Sequence, residues 1–250
     1  MEKNLYRDEI NNVLEPTYIE KDLSKLEKEA ADILKRFLNG NTVVISKSED
    51  EKLKLFFAIM GFRSKKSKDL FVENLKKDSK KLYSVYQKNK NFEDFWKRNL
   101  GYLVNCRSID EVINHPEIDK PIKIFMLRDT HGILDMHFSI LDKSDFDEFI
   151  IGDNYPETIS CIHQTGIPYH LYSIYPISSN RVLLAVSSGA YYAPRNIIEL
   201  RECLLYPPKI DENNNEIFHV KKLFKEEVEY INFLILKDAN EGVASKTKIK

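Results

Sequence analysis

The strongest constraint on what this chain can become is a change of hydrophobic period at Pro121. Before it, apolar residues recur at three- and four-residue steps, the spacing that lays them along one face of a helix; after it they alternate, as along a half-buried strand. Helical runs followed by strand runs predict an α+β fold, with a helical amino-terminal half on a mainly antiparallel β-sheet closed by carboxy-terminal helices. The expected organisation is a helical lobe over residues 1–120 and a sheet lobe with the closing helices over 121–250, together one folding unit.

Leu23, Leu26, Ala30, Ile33, Leu34 and Phe37 mark a helix from Thr17 to the glycine at position 40, opened by Thr17 and Glu20 as a capping box. Ser46 with Glu49 and Ser108 with Glu111 repeat the device, the first ahead of Leu53, Phe56, Phe57 and Met60, the second ahead of a short helix that His115-Pro116 stops. A lysine-rich helix is expected over 66–90, and another carries Phe95 and Trp96. Beyond Pro121, Ile122–Leu127 is expected as a strand. Leu134, Met136, Phe138 and Ile140 alternate with Asp135, His137 and Ser139, which directs His137 away from the core. Phe149–Ile151 reads as a short strand. Leu171–Ile177 and Arg181–Ser187 form a hairpin about Ser178-Ser179-Asn180, and the unbroken apolar stretch Val182–Val186 reads as a central strand. A helix follows over Asn196–Leu204, then a polar break over Pro207–Asn215, then a last helix with Val228, Ile231, Leu234 and Ile235 on one side.

Charge narrows the partners. Thirty-eight basic and 39 acidic residues nearly cancel, so no global field draws the chain to nucleic acid or an anionic surface. No window of about 18 uncharged apolar residues exists, so neither a signal peptide nor a membrane span is expected. Three cysteines far apart are no disulfide framework, and reduced cytoplasm is the expected setting.

Three segments, Phe149-Ile150-Ile151-Gly152-Asp153-Asn154-Tyr155-Pro156, Tyr175-Pro176-Ile177-Ser178-Ser179-Asn180 and Tyr230-Ile231-Asn232-Phe233-Leu234-Ile235, follow one another in an order with a precedent. They resemble the bacterial domain-of-unknown-function family 4238, whose members carry an F-I-T-S-D-N-P strand end, a P-L-S-P strand start and an asparagine-bearing last helix. Ile19-Glu20 with Glu27 resembles the family's acidic helix, and Phe57 to Arg63 its helix ending in R-T-P. The likeness covers roughly residues 18 to 245. The family's H-x-V-P segment has no counterpart, since no histidine precedes His115, so the chain is expected to be an amino-terminally shortened member. Gly152 stands at the family's serine, and Tyr155 is an insertion.

The resemblance implies a polar set: Asp153, Asn154, Glu20 and Glu27 as catalytic candidates, and Arg63, Ser178 and Asn232 as ligand-binding candidates. As a site, Arg63 would hold an anionic group and Asp153 would act as base or metal ligand, at the seam between the two lobes. As structure, the same residues would be a hydrogen-bonded network, the commoner use of an Asp-Asn pair at a strand end. Lys76, Lys77, Lys80 and Lys81 form the one locally basic stretch, a solvated face or a phosphate-contacting surface. Cys161, His163 and His170 lack the paired spacing of a zinc site, and no metal or cofactor is expected. The separation of Arg107 from His115 is too long for the motif of helical ribonuclease toxins, and no phosphate-cradling glycine loop occurs. The expected function is a defence-type binder of nucleic acid or a nucleotide with nuclease-like activity. The rival expectation is a non-catalytic module that docks a partner protein.

Overall fold

The computed structural model describes residues 17–63, 69, 73, 92–120, 122–123, 136–143, 145, 147–152, 157–162, 168–187, 207–239 and 243–244. The fold is α+β, and the chain forms two compact units, one of Met1–Ala31 with Leu55–Thr130, the other of Asp32–Lys54 with His131–Lys250.

The first unit is helical. It takes the beginning of α1 (Tyr18–Leu38), the end of α2 (Lys47–Phe62), α3 (Phe92–Leu103) and α4 (Ile109–Asn114). Leu23, Leu26 and Ala30 of α1 are buried at the predicted spacing, and so are Phe95 and Trp96 of α3. Trp96 stacks on Phe62 with ring centroids 4.1 Å apart. Asn99 is wholly buried, and its side chain is fully used: Nδ2 donates to the Phe95 carbonyl and Asp119, and Oδ1 accepts from the Asp119 amide. At α4, the Ser108 hydroxyl accepts from the Glu111 amide as predicted, while the Glu111 carboxylate reaches the Arg107 amide, one residue beyond a standard box. His115 follows the last turn of α4 in extended conformation, ahead of Pro116.

One expectation fails here. Ile122 and Lys123 are helical, both donating to the Asp119 carbonyl, and do not begin a strand. A short apolar run fits helix and strand alike, and periodicity alone does not separate the two.

The second unit is built on a mixed sheet. β1 (Thr42–Ser46), β2 (Met136–Asp142), β4 (Glu157–Ile162), β5 (Pro168–Pro176), β6 (Arg181–Ser187) and β8 (Asn215–Lys222) lie in the order β1-β8-β2-β6-β5-β4, and β7 (Lys209–Ile210) also pairs with β8. Only β2 and β8 run parallel among the described pairs. β3 (Ile151–Gly152) and β9 (Val243–Ala244) form a separate ladder. The hairpin β5–β6 and the central, fully buried β6 are as predicted.

Four differences have physical causes. β1 is a strand inside the helical half: Val43 and Ile45 point inward and Val44 outward, a period-2 pattern only five residues long between two strong helices. The polar break over 207–215 is a hairpin whose turn hangs on Asp211, and β8 beyond it went unpredicted. β2 has no polar face. His137, Ser139 and Leu141 oppose Val186, Leu184 and Val182, on the face that α5 (Lys225–Asp238) covers. A central strand is covered on both sides, so alternation cannot direct His137 to solvent. Finally, only Ile151 of the expected strand Phe149–Ile151 is in a ladder. The helices expected over 66–90 and 196–204 lie outside the described residues, apart from Asp69 and Glu73, which are helical.

Candidate functional site

The residues singled out from sequence separate into three groups. Asp153, Asn154, Lys76, Lys77, Lys80 and Lys81 lie outside the described residues. Glu27 and Arg63 meet in the helical unit, Nη1 of Arg63 donating to Oε1 of Glu27 at 3.1 Å, while Glu20 is exposed and its carbonyl accepts from the Ser24 hydroxyl. Ser178 and Asn232 belong to the sheet unit.

Asn232 lies on α5 and acts as a one-residue strand. Its Oδ1 accepts from the Ile150 amide at 3.1 Å and its Nδ2 donates to the Glu148 carbonyl at 2.8 Å, the two groups a neighbouring strand would otherwise satisfy. The Phe149 amide donates to the carbonyl of Ser179, and the Ser178 hydroxyl accepts from the Asn180 amide within the same turn. Thus the turn 178–180, the segment 148–150 and Asn232 are joined by direct hydrogen bonds. All lead into Gly152, where an added Cβ would come within 3.1 Å of Ile235 Cγ2; glycine lets this backbone approach α5. Three segments that carry the family resemblance therefore converge, with Asn232 used structurally.

A second polar centre was not foreseen. The Ser46–Glu49 capping box joins β1 to α2 and is formed as predicted, Glu49 accepting from the Ser46 amide and the Ser46 hydroxyl from the Glu49 amide. This junction places Asp50 and Lys54 of α2 in the interior. Asp50 is 3% and Lys54 6% exposed. Lys54 Nζ lies 2.6 Å from Asp50 Oδ2 and 5.8 Å from the centre of the Phe138 ring. Asp50 Oδ1 is buried without a hydrogen-bond partner.

The pairings Ile45 with Glu216 and Val43 with Phe218 put Glu216 on the face of the buried β1 side chains, opposite the face that α5 covers. Burial, reinforced by the charge of Asp50 and opposed by Lys54 and Lys47, pushes the Glu216 carboxyl up to about 7. Burial also raises Asp50 against the pull of Lys54. Two acidic groups displaced from their ordinary range around one buried lysine make this cluster a candidate site. The sequence signal was present but ordinary: Asp50 and Lys54 are an i,i+4 pair on an apolar helix, and Glu216 stands in a stretch read as a break.

Arg181 shows the contrast. It is 6% exposed, grips Asp142 with Nε and Nη2, and donates through Nη1 to the carbonyls of Phe37 at 2.7 Å and Gly40 at 3.0 Å. Gly40 has φ of 84°, so this arginine closes the left-handed end of α1. Its donors are committed to structure.

The fold and these centres define an α+β protein with a buried Asp–Lys pair beside its sheet. No curated protein and no solved structure matches the chain. It belongs to the family DUF4238, proteins of unknown function, whose sequence model matches residues 1–248. Among the described residues no group of three or more His, Cys, Asp or Glu side chains is assembled, and no helix is long and apolar enough to cross a membrane.

Proposed function

We propose that this is a cytoplasmic bacterial protein of the defence type that binds nucleic acid or a nucleotide and cleaves a phosphodiester, with Asp50, Lys54 and Glu216 as its reactive centre. The carrying observation is the cluster itself: a half-buried carboxyl that ionises at about 7 beside a buried Asp–Lys pair. A group that exchanges its proton near neutral pH suits general acid–base work. As base, Glu216 takes a proton from the water that attacks phosphorus while the bond to the leaving oxygen breaks, and solvent protonates that oxygen. The Lys54 ammonium offsets negative charge as it grows on the phosphoryl oxygens. Lys76, Lys77, Lys80 and Lys81 supply sequence-independent phosphate contacts in this reading.

The test is cleavage of single- and double-stranded DNA, RNA and nucleoside triphosphates by the purified chain. Glu216→Gln is expected to slow cleavage by about 10²–10⁴-fold, the range for loss of a general acid or base. Equal rates for parent and variant would sink the reading.

A second reading has its own observation. Phe233 and Leu236, three residues apart on α5, are 57% and 56% exposed, and Phe224 ahead of the helix is 68% exposed. An apolar stripe in water favours a non-catalytic module that docks a partner protein there. Under this reading the parent chain retains a stoichiometric second protein on purification, and Phe233→Asp with Leu236→Asp loses it.

A further inference from the structure

We propose that the exposed face of α5 pairs with the same face of a second copy of this chain, the two helices running antiparallel about a dyad at Phe233. This deepens the second reading above and rests on it, naming the occupant of that docking face.

The period of α5 builds the face. Val228, Ile231, Leu234 and Ile235 turn inward and are buried, while Glu229, Phe233, Leu236 and Lys237 lie on the other side of the helix and are exposed. Tyr230 flanks the exposed side, partly buried against the core cluster. Phe233 and Leu236 thus form an apolar centre with a carboxylate one turn before it and an ammonium at its end, the layout of a small contact with a polar rim.

Self-complementarity selects a second copy as the occupant. In a two-fold contact, residue i meets residue j of the partner and residue j meets the partner's residue i. With the dyad at Phe233, residues equally far before and after it face each other. Phe233 then lies on the partner's Phe233, and Tyr230 on the partner's Leu236. Glu229, four residues before the dyad, lies on the partner's Lys237, four residues after it. By symmetry the last two contacts each occur twice, so a pair of opposite charges closes either end of the apolar centre.

Other arrangements lose this match. Parallel helices would set Glu229 on the partner's Glu229 and Lys237 on the partner's Lys237, and like charges across a contact repel. An antiparallel dyad between Leu234 and Ile235 keeps Phe233 on the partner's Leu236 but sets Lys237 against the partner's Asn232, a residue whose amide is spent on Glu148 and Ile150. Within one protomer Glu229 is held by Lys225 at 3.5 Å, an exposed pair that costs little to share. A helix of 14 residues is about 21 Å long, so the contact is small and the dimer weak and concentration-dependent.

Sedimentation equilibrium on the purified full chain, over a range of concentrations and at low and high salt, tests the proposal. A monomer–dimer equilibrium that salt shifts toward monomer is expected for the parent. Phe233→Asp, which puts two carboxylates at the dyad, is expected to be monomeric throughout. Glu229→Lys alone and Lys237→Glu alone each set like charges at both ends and are expected to weaken dimerisation by about tenfold or more. The double variant Glu229→Lys with Lys237→Glu remakes both pairs with signs exchanged and is expected to return to within about threefold of the parent. Residues eight apart do not touch within one helix, so this rescue reports a contact between chains. A monomeric parent, a dimer that Phe233→Asp leaves intact, or a double variant as weak as the single ones overturns the proposal. The two readings fail separately: a monomeric parent that retains a stoichiometric foreign protein, lost with Phe233→Asp, overturns the second copy as occupant and leaves the docking face, while a monomeric parent that retains none sinks both.

Discussion

Asp50 is stabilised by Lys54 but not completely, since burial raises its carboxyl even against that neighbouring charge. The consequence is testable by replacing one partner or both. Asp50→Leu alone removes the carboxylate 2.6 Å from the buried Lys54 ammonium and is expected to cost about 3–5 kcal/mol, whereas Asp50→Leu with Lys54→Met is expected to be close to neutral. Urea denaturation decides it, and a double variant as unstable as the single one would contradict the account. Glu216 gives a pH-dependent counterpart. Its carboxyl ionises ordinarily near 4.5 and in the folded chain at about 7, so between those values the native state holds a proton that the unfolded chain has released. Stability contributed below the lower value is therefore lost as pH rises through the window. Glu216→Gln should match the parent at pH 5 and exceed it by about 1–2 kcal/mol at pH 8, a figure reduced for partial solvent screening. The same stability difference at both values would refute the burial of this carboxyl. Neither residue was legible as a site in the sequence, because each belongs to an ordinary local pattern and only pairing of β1 with β8 brings them together. Asn232 was legible through the resemblance, yet its role was not: both ends of its amide are consumed by Glu148 and Ile150. Asn232→Leu is expected to cost about 1–3 kcal/mol through the orphaned Ile150 amide, read from the thermal midpoint.

Helices with long apolar stripes were the readable elements. α5 buries the predicted residues and α1 buries all of them but Leu34, which is half-buried, and the capping boxes mark the starts of α2 and α4, because their signals are local and repeat over several turns. Short strands were not readable. β1 and β8 are stabilised by partners far away in sequence, so a five-residue window holds little of what determines them, and β7 is only two residues long. Close approach between elements was equally invisible. A Cβ built on Gly101 of α3 would lie 2.2 Å from the Tyr18 hydroxyl of α1. Gly101→Ala sets a gain of up to about 1 kcal/mol in helix propensity against an overpacking cost of about 1–3 kcal/mol, and net destabilisation is expected. A raised melting temperature for this variant would show that Tyr18 moves aside freely.

At the scale of the whole molecule, the change of period at Pro121 marks neither the passage from helix to strand, since Ile122 and Lys123 are still helical and β1 lies well before it, nor the path of the chain. The sheet unit includes Asp32–Lys54, whose residues are needed three times over: β1 pairs with β8, Phe37 meets Phe218 edge to face, and the Phe37 and Gly40 carbonyls satisfy Arg181. A fragment of residues 131–250 is therefore expected not to unfold cooperatively, and addition of a peptide of residues 32–54 to restore a transition; a sharp transition for the fragment alone would show that the segment is dispensable. The same pairing sets a schedule for synthesis. Thr42 and its partner His219 are 177 residues apart, an interval of about 10–35 s at ordinary elongation rates. During that time β1 has left the ribosome while β8 does not yet exist, so its two inward-facing apolar side chains wait without the strand that completes them. Nascent chains of this protein should accordingly engage trigger-type chaperones through residues 42–46 and release them only after β8 emerges.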